Sequence, residues 1–459
     1  MKHKKHETNK REGVISVSSK GTGYVAIPDL KEDPEIDFRH LNTALHGDTV
    51  EIVLHPKGGR RQSAEVTRIV TRAKIGFAGV LEKENSIFFL KPDDTKMYTD
   101  ILIPVEQING AKVGEKVFAE IISWKDHRKA PEGKVVKILG LPGDNDTEMH
   151  AIAMEKGFDS DFPPLVEKEA EIIKKLGIQN EDLKERRDFR KILTFTIDPI
   201  DAKDFDDAIS FHPVRSREGS QRASTSNGIR GGEEELYEVG IHIADVSHYL
   251  KIGSELDKEA RERGTSVYLV DRTIPMLPEA LSNDLCSLVP NKDRLTMSAV
   301  FILDKEARVK SEWYGRTIIH SQKRFTYEEA EKSLSHRPAT GEAIKSTHAP
   351  LHRELAILNG LAKKLNKERF ANGALVLEQE EIKFVLDKSG VPIKVIKKER
   401  GDSNKLIEEF MLLANRKVAE VFSKGKSKPG HHKIPEDVFV YRVHDLPNKE
   451  KMEDLAFFL

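Results

Sequence analysis

The chain has 459 residues, 33% of them charged and 38% hydrophobic, with a formal net charge of -1. That length holds two or more domains and that balance excludes a disordered chain, while no run of about 18 apolar residues offers a membrane span. Near-zero charge gives no general pull towards nucleic acid, so any such contact needs local basic patches; one cysteine, Cys286, excludes an internal disulfide framework and suits a reducing cytosol.

In chain order, MKHKKHETNKREG is basic and polar and lacks the apolar core of a secretion signal, so residues 1–12 are read as a flexible arm. The next ~130 residues read as short strands punctuated by Gly, Pro and Asp. They repeat: GVISVSSKGTGYVAIPD (13–29) is echoed by GVLEKENSIFFLKPDD (79–94), HGDTVEIVL (46–54) by VGEKVFAEI (113–121), and AEVTRIV (64–70) by GKVVKIL (133–139). Three echoes in order at one interval predict two copies of a five-stranded OB-type barrel, over residues 13–72 and 73–142.

Residues 143–190 are expected to form a helical connector, with Val166, Ala170, Ile172, Ile173 and Leu176 at helical spacing and Gly177 as a stop. From residue 191 to 459, strand-like runs (KILTFTID, LYEVGIHIADV, LTMSAVFIL) mix with helical ones (IGSELDKEARERG, KLIEEFMLLANRKVAEVFSKG) without regular alternation, which predicts an α+β domain. Inside it, residues 213–235 (PVRSREGSQRASTSNGIRGGEEE) read as a low-complexity surface insertion, with RNA contact through its four arginines as the alternative.

The most informative stretch is TFTIDPIDAKDFDDAIS (194–210). Phe195 and Ile197 mark a half-buried strand aimed at Asp198, Asp204, Asp206 and Asp207, with Asp201 between them. Carboxylates so close raise one another's pKa values unless a cation relieves them. All-oxygen donors suit Mg²⁺ or Mn²⁺ rather than zinc. An EF-hand is excluded, because counting from Asp204 the fifth and sixth positions are Ala208 and Ile209. Aspartate-held Mg²⁺ is common equipment for phosphodiester chemistry.

This stretch resembles the catalytic motif of the ribonuclease II/ribonuclease R (RNB) family, and is nearest to its ribonuclease R branch. VGIHIADVSHYL (239–250), RGTSVYLVDRTIPMLPEALSNDLCSL (263–288) and LIEEFMLLAN (406–415) resemble further family motifs in the family's order. The resemblance implies two N-terminal cold-shock-like OB barrels and an RNB nuclease domain. It implies a processive, Mg²⁺-dependent 3′→5′ exoribonuclease (with Mn²⁺ as a substitute) that releases nucleoside 5′-monophosphates. Its partner would be single-stranded RNA with a free 3′ end; a cytoplasmic monomer with no membrane contact is expected.

By motif, Asp198, Asp204, Asp206 and Asp207 become the catalytic and metal-binding residues, with Asp198 and Asp207 the surest direct ligands. Tyr268 becomes the aromatic that stacks near the 3′ end, and Glu408 or Glu409 the contact to the terminal ribose. Helical period places one of these glutamates inward and the other towards solvent. In the barrels, Tyr24, Phe88 and Phe89 lie near Lys20, Lys83 and Lys91, a pairing that suits single-strand binding; Tyr24 and Phe88 are the chosen candidates. His242 and His248 are expected to be structural, and Cys286 a buried thiol.

The family's nuclease domain continues beyond KMEDLAFFL, through arginines that hold the scissile phosphate and a C-terminal OB domain. Arg442 precedes the place of that arginine motif. The chain is therefore expected to be a fragment, weakly active or inactive by itself. The competing readings are a non-catalytic RNA-binding fragment that uses the barrels and a Mg²⁺-dependent DNA nuclease.

Overall fold

The repeat in the first 140 residues becomes two five-stranded sheets of matching strand order. In the first copy β1 (Lys10–Val17), β2 (Gly23–Val25), β3 (Glu35–Ile36), β4 (Thr49–Leu54) and β5 (Ala64–Thr71) run in the order β3-β2-β1-β4-β5. An isolated bridge, Glu35 to Ser63, draws the edges of this half-barrel together. The second copy, β6 (Gly76–Glu84), β7 (Ile87–Pro92), β8 (Ile101–Ile103), β9 (Lys116–Ser123) and β10 (Glu132–Gly140), is fully closed, with β10 pairing both β8 and β9. Alternating side chains fill each interior: Ile15, Val25, Ile36 and Ile52 in the first, Phe77, Leu81, Leu90 and Val117 in the second.

A computed structural model of the chain describes all residues except 1–9, 29, 31, 57–60, 216–234, 336–348, 376–379, 388–389, 425–438, 444–445 and 459. The fold has two compact units. One is Met1–Phe162 with Val267–Ile274 and Leu386–Ile393; the other is Pro163–Ser266, Pro275–Val385 and Lys394–Leu459. The segment expected as a connector divides between them. Its first helix, α1 (Asn145–Glu155), packs Ala151 against Phe118 and Ala78 of the closed barrel. Buried Lys116 ties the helix down, with Nζ 2.8 Å from Asp93 and 2.5 Å from Glu148. The next helix, α2 (Pro164–Leu176), belongs to the second unit and ends at Gly177, where a φ of +57° favours glycine.

The second unit is built on a seven-stranded sheet, β11-β18-β17-β14-β13-β12-β19. Its strands are β11 (Arg187–Asp188), β12 (Leu193–Asp198), β13 (Asp207–Arg215), β14 (Glu235–Ala244), β17 (Asp293–Asp304), β18 (Val309–His320) and β19 (Lys323–Thr326). The intervening hairpin, β15 (Val267–Tyr268) and β16 (Thr273–Ile274), lies in the first unit. Short helices α3 (Val246–Tyr249) and α4 (Glu255–Arg263) follow β14. One face of the sheet buries Phe195, Ile197, Ile209, Phe211, Ile241 and Phe301. It does so with apolar residues of α5 (Tyr327–Ser335), α6 (Ala349–Ala371) and α7 (Asp402–Lys424), among them Leu355, Leu406 and Phe410.

The hairpin β20 (Ile382–Leu386) and β21 (Pro392–Lys397) precedes α7, and α8 (Lys449–Phe458) follows it. The interior of the low-complexity insertion lies outside the described residues; β13 and β14 flank it as an antiparallel pair. None of the described helices is long and apolar enough to cross a membrane.

The sheet's other face is buried but polar. Thr194 and Thr196 are as inaccessible as Phe195, so β12 is covered on both sides rather than half-buried. The same face holds His242, whose Nδ1 lies 2.7 Å from the Ser298 hydroxyl and Nε2 2.8 Å from that of Ser210. Burial pushes its pKa down to about 3, so the ring is neutral and structural. Arg186 and Asp245, both nearly inaccessible, pair at 2.7 Å beside it.

Candidate active site

Strand pairing gathers the aspartates at one edge of the sheet. β12 and β13 are antiparallel, with Phe195 opposite Ile209. Asp198 therefore ends the outgoing strand where Asp207 starts the returning one, and residues 199–206 form the loop between. On β12's other side β19 runs parallel, placing Thr326 beside Asp198. Thr326 and Glu329 cap each other's backbone amides at the start of α5, so a helix N-terminus begins at this edge.

Three of the carboxyls are displaced upward in pKa, chiefly by loss of solvent. Asp198, 7% exposed, is pushed up to about 6 by burial; the Thr196 hydroxyl at 2.5 Å and the charge of Arg324 oppose that, while Asp206 and Asp204 reinforce it. Asp207 is pushed up to about 7 by burial and then by the charges of Asp198 and Asp206. Asp206 has an accessible surface but is crowded by protein, which raises it, with Asp204 adding to the effect. The charges of Asp198, Asp206 and Asp207 thus act on one another within a single cluster. Asp201 is exposed in the turn.

No hydrogen bond or ion pair engages the carboxylates of Asp206 and Asp207 among the described residues; only burial and neighbouring negative charge act on them. Desolvated, oxygen-only donors with no internal counter-ion fit a hard divalent cation. The described residues contain no group of three His, Cys, Asp or Glu side chains already converged to enclose one.

The aspartate loop is braced from elsewhere in the chain. The Ser287 hydroxyl accepts from the Phe205 amide at 2.9 Å and donates to the Lys203 carbonyl at 2.8 Å, and the Leu288 amide donates to the Phe205 carbonyl. Buried Arg294 holds this brace, donating to the Ser287 carbonyl (2.9 Å) and to Asp284 (2.8 Å). The segment PMLPEALSNDLCSLVP is therefore the support of the aspartate loop, and Cys286 within it is buried, its thiol pushed up to about 12.

Two further residues went unnoticed in the sequence. Arg324 donates to the carbonyls of Pro199 (2.5 Å) and Ile200 (3.0 Å), lies over the Phe205 ring, and is the cation acting on Asp198. Tyr327, opening α5, is raised to about 12 by burial and by the charges of Asp207 and Asp198. No local pattern could have identified them, because β19 reaches β12 across more than 120 residues of chain. The spacing of KRFTY identifies a strand end and nothing more.

The remaining candidates are spread over both units. Tyr268 is 63% exposed on the β15–β16 hairpin of the first unit. Glu409 is 3% exposed and accepts hydrogen bonds on α7 from Asn366 (2.7 Å) and Arg369 (2.6 Å) of α6, whereas Glu408 is exposed. Helical period thus separates the pair, with Glu409 inward. Tyr24 faces outward between buried Gly23 and Val25, and its cationic neighbour is Arg61 rather than Lys20.

Phe88 requires a correction. It shares a strand face with buried Leu90 and packs partly against the barrel core, with Lys83 over its ring at 4.7 Å. The two-residue strand period gives the outward position to Phe89. His248 pairs with Asp182 at 3.5 Å within the second unit.

Known proteins share this domain organisation. Residues 186–459 match the RNB domain, residues 89–163 the cold shock domain and residues 13–69 the ribonuclease B OB domain. The chain is 37% identical over 443 residues to Ribonuclease R of Thermotoga maritima, covering 95% of this chain and 58% of that protein. With Ribonuclease R of Escherichia coli it shares 31% identity, covering 96% of this chain and 50% of that one. The structure of Mycoplasma genitalium RNase R in complex with ribose-methylated single-stranded RNA superposes with a TM-score of 0.79 at 26% identity, covering 97% of this chain and 65% of that one. The chain spans about half to two thirds of the length of these relatives.

Proposed function

The chain belongs to the RNB-domain family, and from that premise we propose that the protein is a 3′→5′ exoribonuclease. It hydrolyses single-stranded RNA from a free 3′ end to nucleoside 5′-monophosphates, processively and with Mg²⁺ or Mn²⁺. The observation that carries this reading is the cluster of Asp198, Asp206 and Asp207, whose carboxylates repel one another while those of Asp206 and Asp207 lack a counter-ion among the described residues.

In this reading Asp198 and Asp207 hold the cation from adjacent strands, and Asp204 and Asp206 complete the site from the loop. When bound, the metal supplies charge neutralisation at the phosphate and a more acidic water. The protein's own residues do the positioning. The Thr196 hydroxyl orients the Asp198 carboxylate, Ser287 fixes the loop backbone, and Arg324 ties its first turn. Hydrolysis joins a water oxygen to phosphorus and breaks the bond to the 3′ oxygen of the preceding nucleotide. That oxygen takes a proton, and the released nucleotide keeps its 5′-phosphate.

Glu408, whose exposed carboxylate has only a 3.4 Å contact from Arg369, is the glutamate we assign to the terminal ribose; Glu409 is buried and held at 2.7 Å by Asn366 and 2.6 Å by Arg369. A 2′-hydroxyl contact distinguishes RNA from DNA. Tyr268 stacks on the terminal base, and Tyr24 and Phe89 offer outward aromatic faces on the barrels. A cytoplasmic monomer is part of the same reading, supported by a lone cysteine that is buried and unpaired.

The test is a 5′-labelled single-stranded RNA incubated with Mg²⁺ or with EDTA, beside DNA of the same sequence. Stepwise shortening from the 3′ end of RNA alone, slow in this chain and abolished by EDTA, is expected. Internal cuts, metal-independent cleavage or equal loss of DNA contradicts the proposal. RNA bound but left whole favours the second reading, binding by the barrels.

A further inference from the structure

The β15–β16 hairpin that carries Tyr268 is too small to hold itself in place. It has two pairs, Val267 with Ile274 and Tyr268 with Thr273, closed by the Leu269 amide donating to the Arg272 carbonyl at 2.8 Å. Among the described residues it joins no larger sheet. A lone two-stranded hairpin is marginal in water, so its orientation depends on what grips it.

The grip is at the turn. Arg272 forks between Asp271, 2.6 Å away within the turn, and Asp146 in the first turn of α1. The adjoining Asn145 donates its side-chain amide to Asp271 at 3.1 Å. Gly390, in the β20–β21 turn, comes so near that a Cβ there would touch the Asp271 side chain at 3.7 Å. A cavity of about 590 Å³ beside the clamp is lined by Asp144, Glu148 and Val391 as well as Arg272. Since α1 is fastened to the closed barrel through Ala151 and the Lys116–Glu148 pair, a continuous chain of contacts runs from barrel to helix to Arg272 to the hairpin. Every member lies in the first compact unit.

We propose that Arg272 is a positioning residue that locks the Tyr268 hairpin to the cold-shock barrel through Asp146 and Asn145, and so presents the Tyr268 ring for the 3′-terminal base. The inference rests on the reading that Tyr268 stacks on that base. Its sequence signature is VDRT, where a carboxylate and an arginine follow each other in a tight turn. Asp146 is well exposed, and ion pairs of that kind add little stability. The Asp146 arm therefore acts on orientation, and its loss leaves global unfolding almost unchanged.

The test uses the full chain in EDTA, with a single-stranded RNA carrying 2-aminopurine at its 3′ end and a separate 5′ label. Stacking on a tyrosine quenches the 2-aminopurine, and losing one stacked base weakens binding by roughly five- to a hundredfold. Wild type is expected to quench, and Tyr268→Ala to lose the quench. Asp146→Ala, which leaves the hairpin's own sequence intact, is expected to lose most of it with an unchanged melting temperature, and Arg272→Ala to lose most of it as well. Adding Arg272→Ala to Tyr268→Ala should then have no further effect.

Full quench in both Asp146→Ala and Arg272→Ala, with Tyr268→Ala defective, overturns the clamp and leaves the stacking reading standing. Quench retained by Tyr268→Ala overturns both. Additive losses in the Tyr268→Ala Arg272→Ala pair would mean that Arg272 touches RNA itself, which also overturns the positioning role.

Discussion

The nuclease sheet buries polar groups in two places, and it treats them in opposite ways. Behind β14 and β17, Arg186 meets Asp245 and His242 meets two hydroxyls, so each buried charge or ring nitrogen has a partner. Where β12 ends and β13 begins, buried Asp198 is crowded by other carboxylates, and Asp206 and Asp207 have no such partner among the described residues. The same strands build both regions. Satisfied polarity fixes the fold; unsatisfied like charge costs stability and persists where a ligand completes it.

The largest expected effect lies on the satisfied side. Asp245→Ala strands Arg186 and should cost about 3–5 kcal/mol in denaturant unfolding; a cost below about 1 kcal/mol would erase the contrast. Asp207→Asn should do the reverse. RNA hydrolysis falls by roughly 10²–10³-fold, the scale of losing one preorganised electrostatic group, while the melting temperature in EDTA stays level or rises because a buried repulsion is gone.

The two regions should also bend stability in opposite directions with pH. The aspartate cluster has folded-state pKa values of about 6 and about 7, above the unfolded value near 4. Its contribution is fully present below about pH 4 and is lost as pH rises through 6 to 7. His242, held near 3 against an unfolded value of about 6.5, contributes fully above about pH 6.5 and loses that contribution as pH falls. In EDTA, Asp207→Asn should flatten the alkaline loss and leave the acid loss intact, as melting curves from pH 4 to 9 would reveal. Added Mg²⁺ should raise the wild-type melting temperature at pH 8 and scarcely at pH 5.

The smallest contrast is between neighbours on α7. Glu409→Gln disturbs the Arg369 and Asn366 bonds and should cost about 1–3 kcal/mol. Glu408→Gln should change stability by less than about 0.5 kcal/mol yet narrow the preference for RNA over DNA in competition binding. Equal stability losses would remove the distinction between them.

Local pattern made much of this legible. The barrel repeat was visible because strand order and spacing recur, and the aspartates because five in ten residues stand out after a strand. What escaped depended on distant pairing or on which way a strand faces. Arg324 and Tyr327 reach Asp198 only because β19 pairs parallel with β12, and Ser287 braces Phe205 from more than 80 residues away. Phe88 and Phe89 are both half-buried, and strand phase puts Phe88 on the side of Leu90, which faces the barrel interior. Thr194 and Thr196 read as a solvent face because nothing nearby announced a second buried layer made of hydroxyls.

If the carboxylates of Asp198, Asp206 and Asp207 seat a divalent cation, calorimetric titration of the chain with Mg²⁺ at pH 7 will register it. With Asp198 and Asp207 partly protonated at that pH, binding should release protons, so the heat should change with the ionisation enthalpy of the buffer, and Asp207→Asn should abolish the site. Saturable binding with that proton release and that loss is the predicted result; no binding, or binding indifferent to Asp207→Asn, would contradict the account.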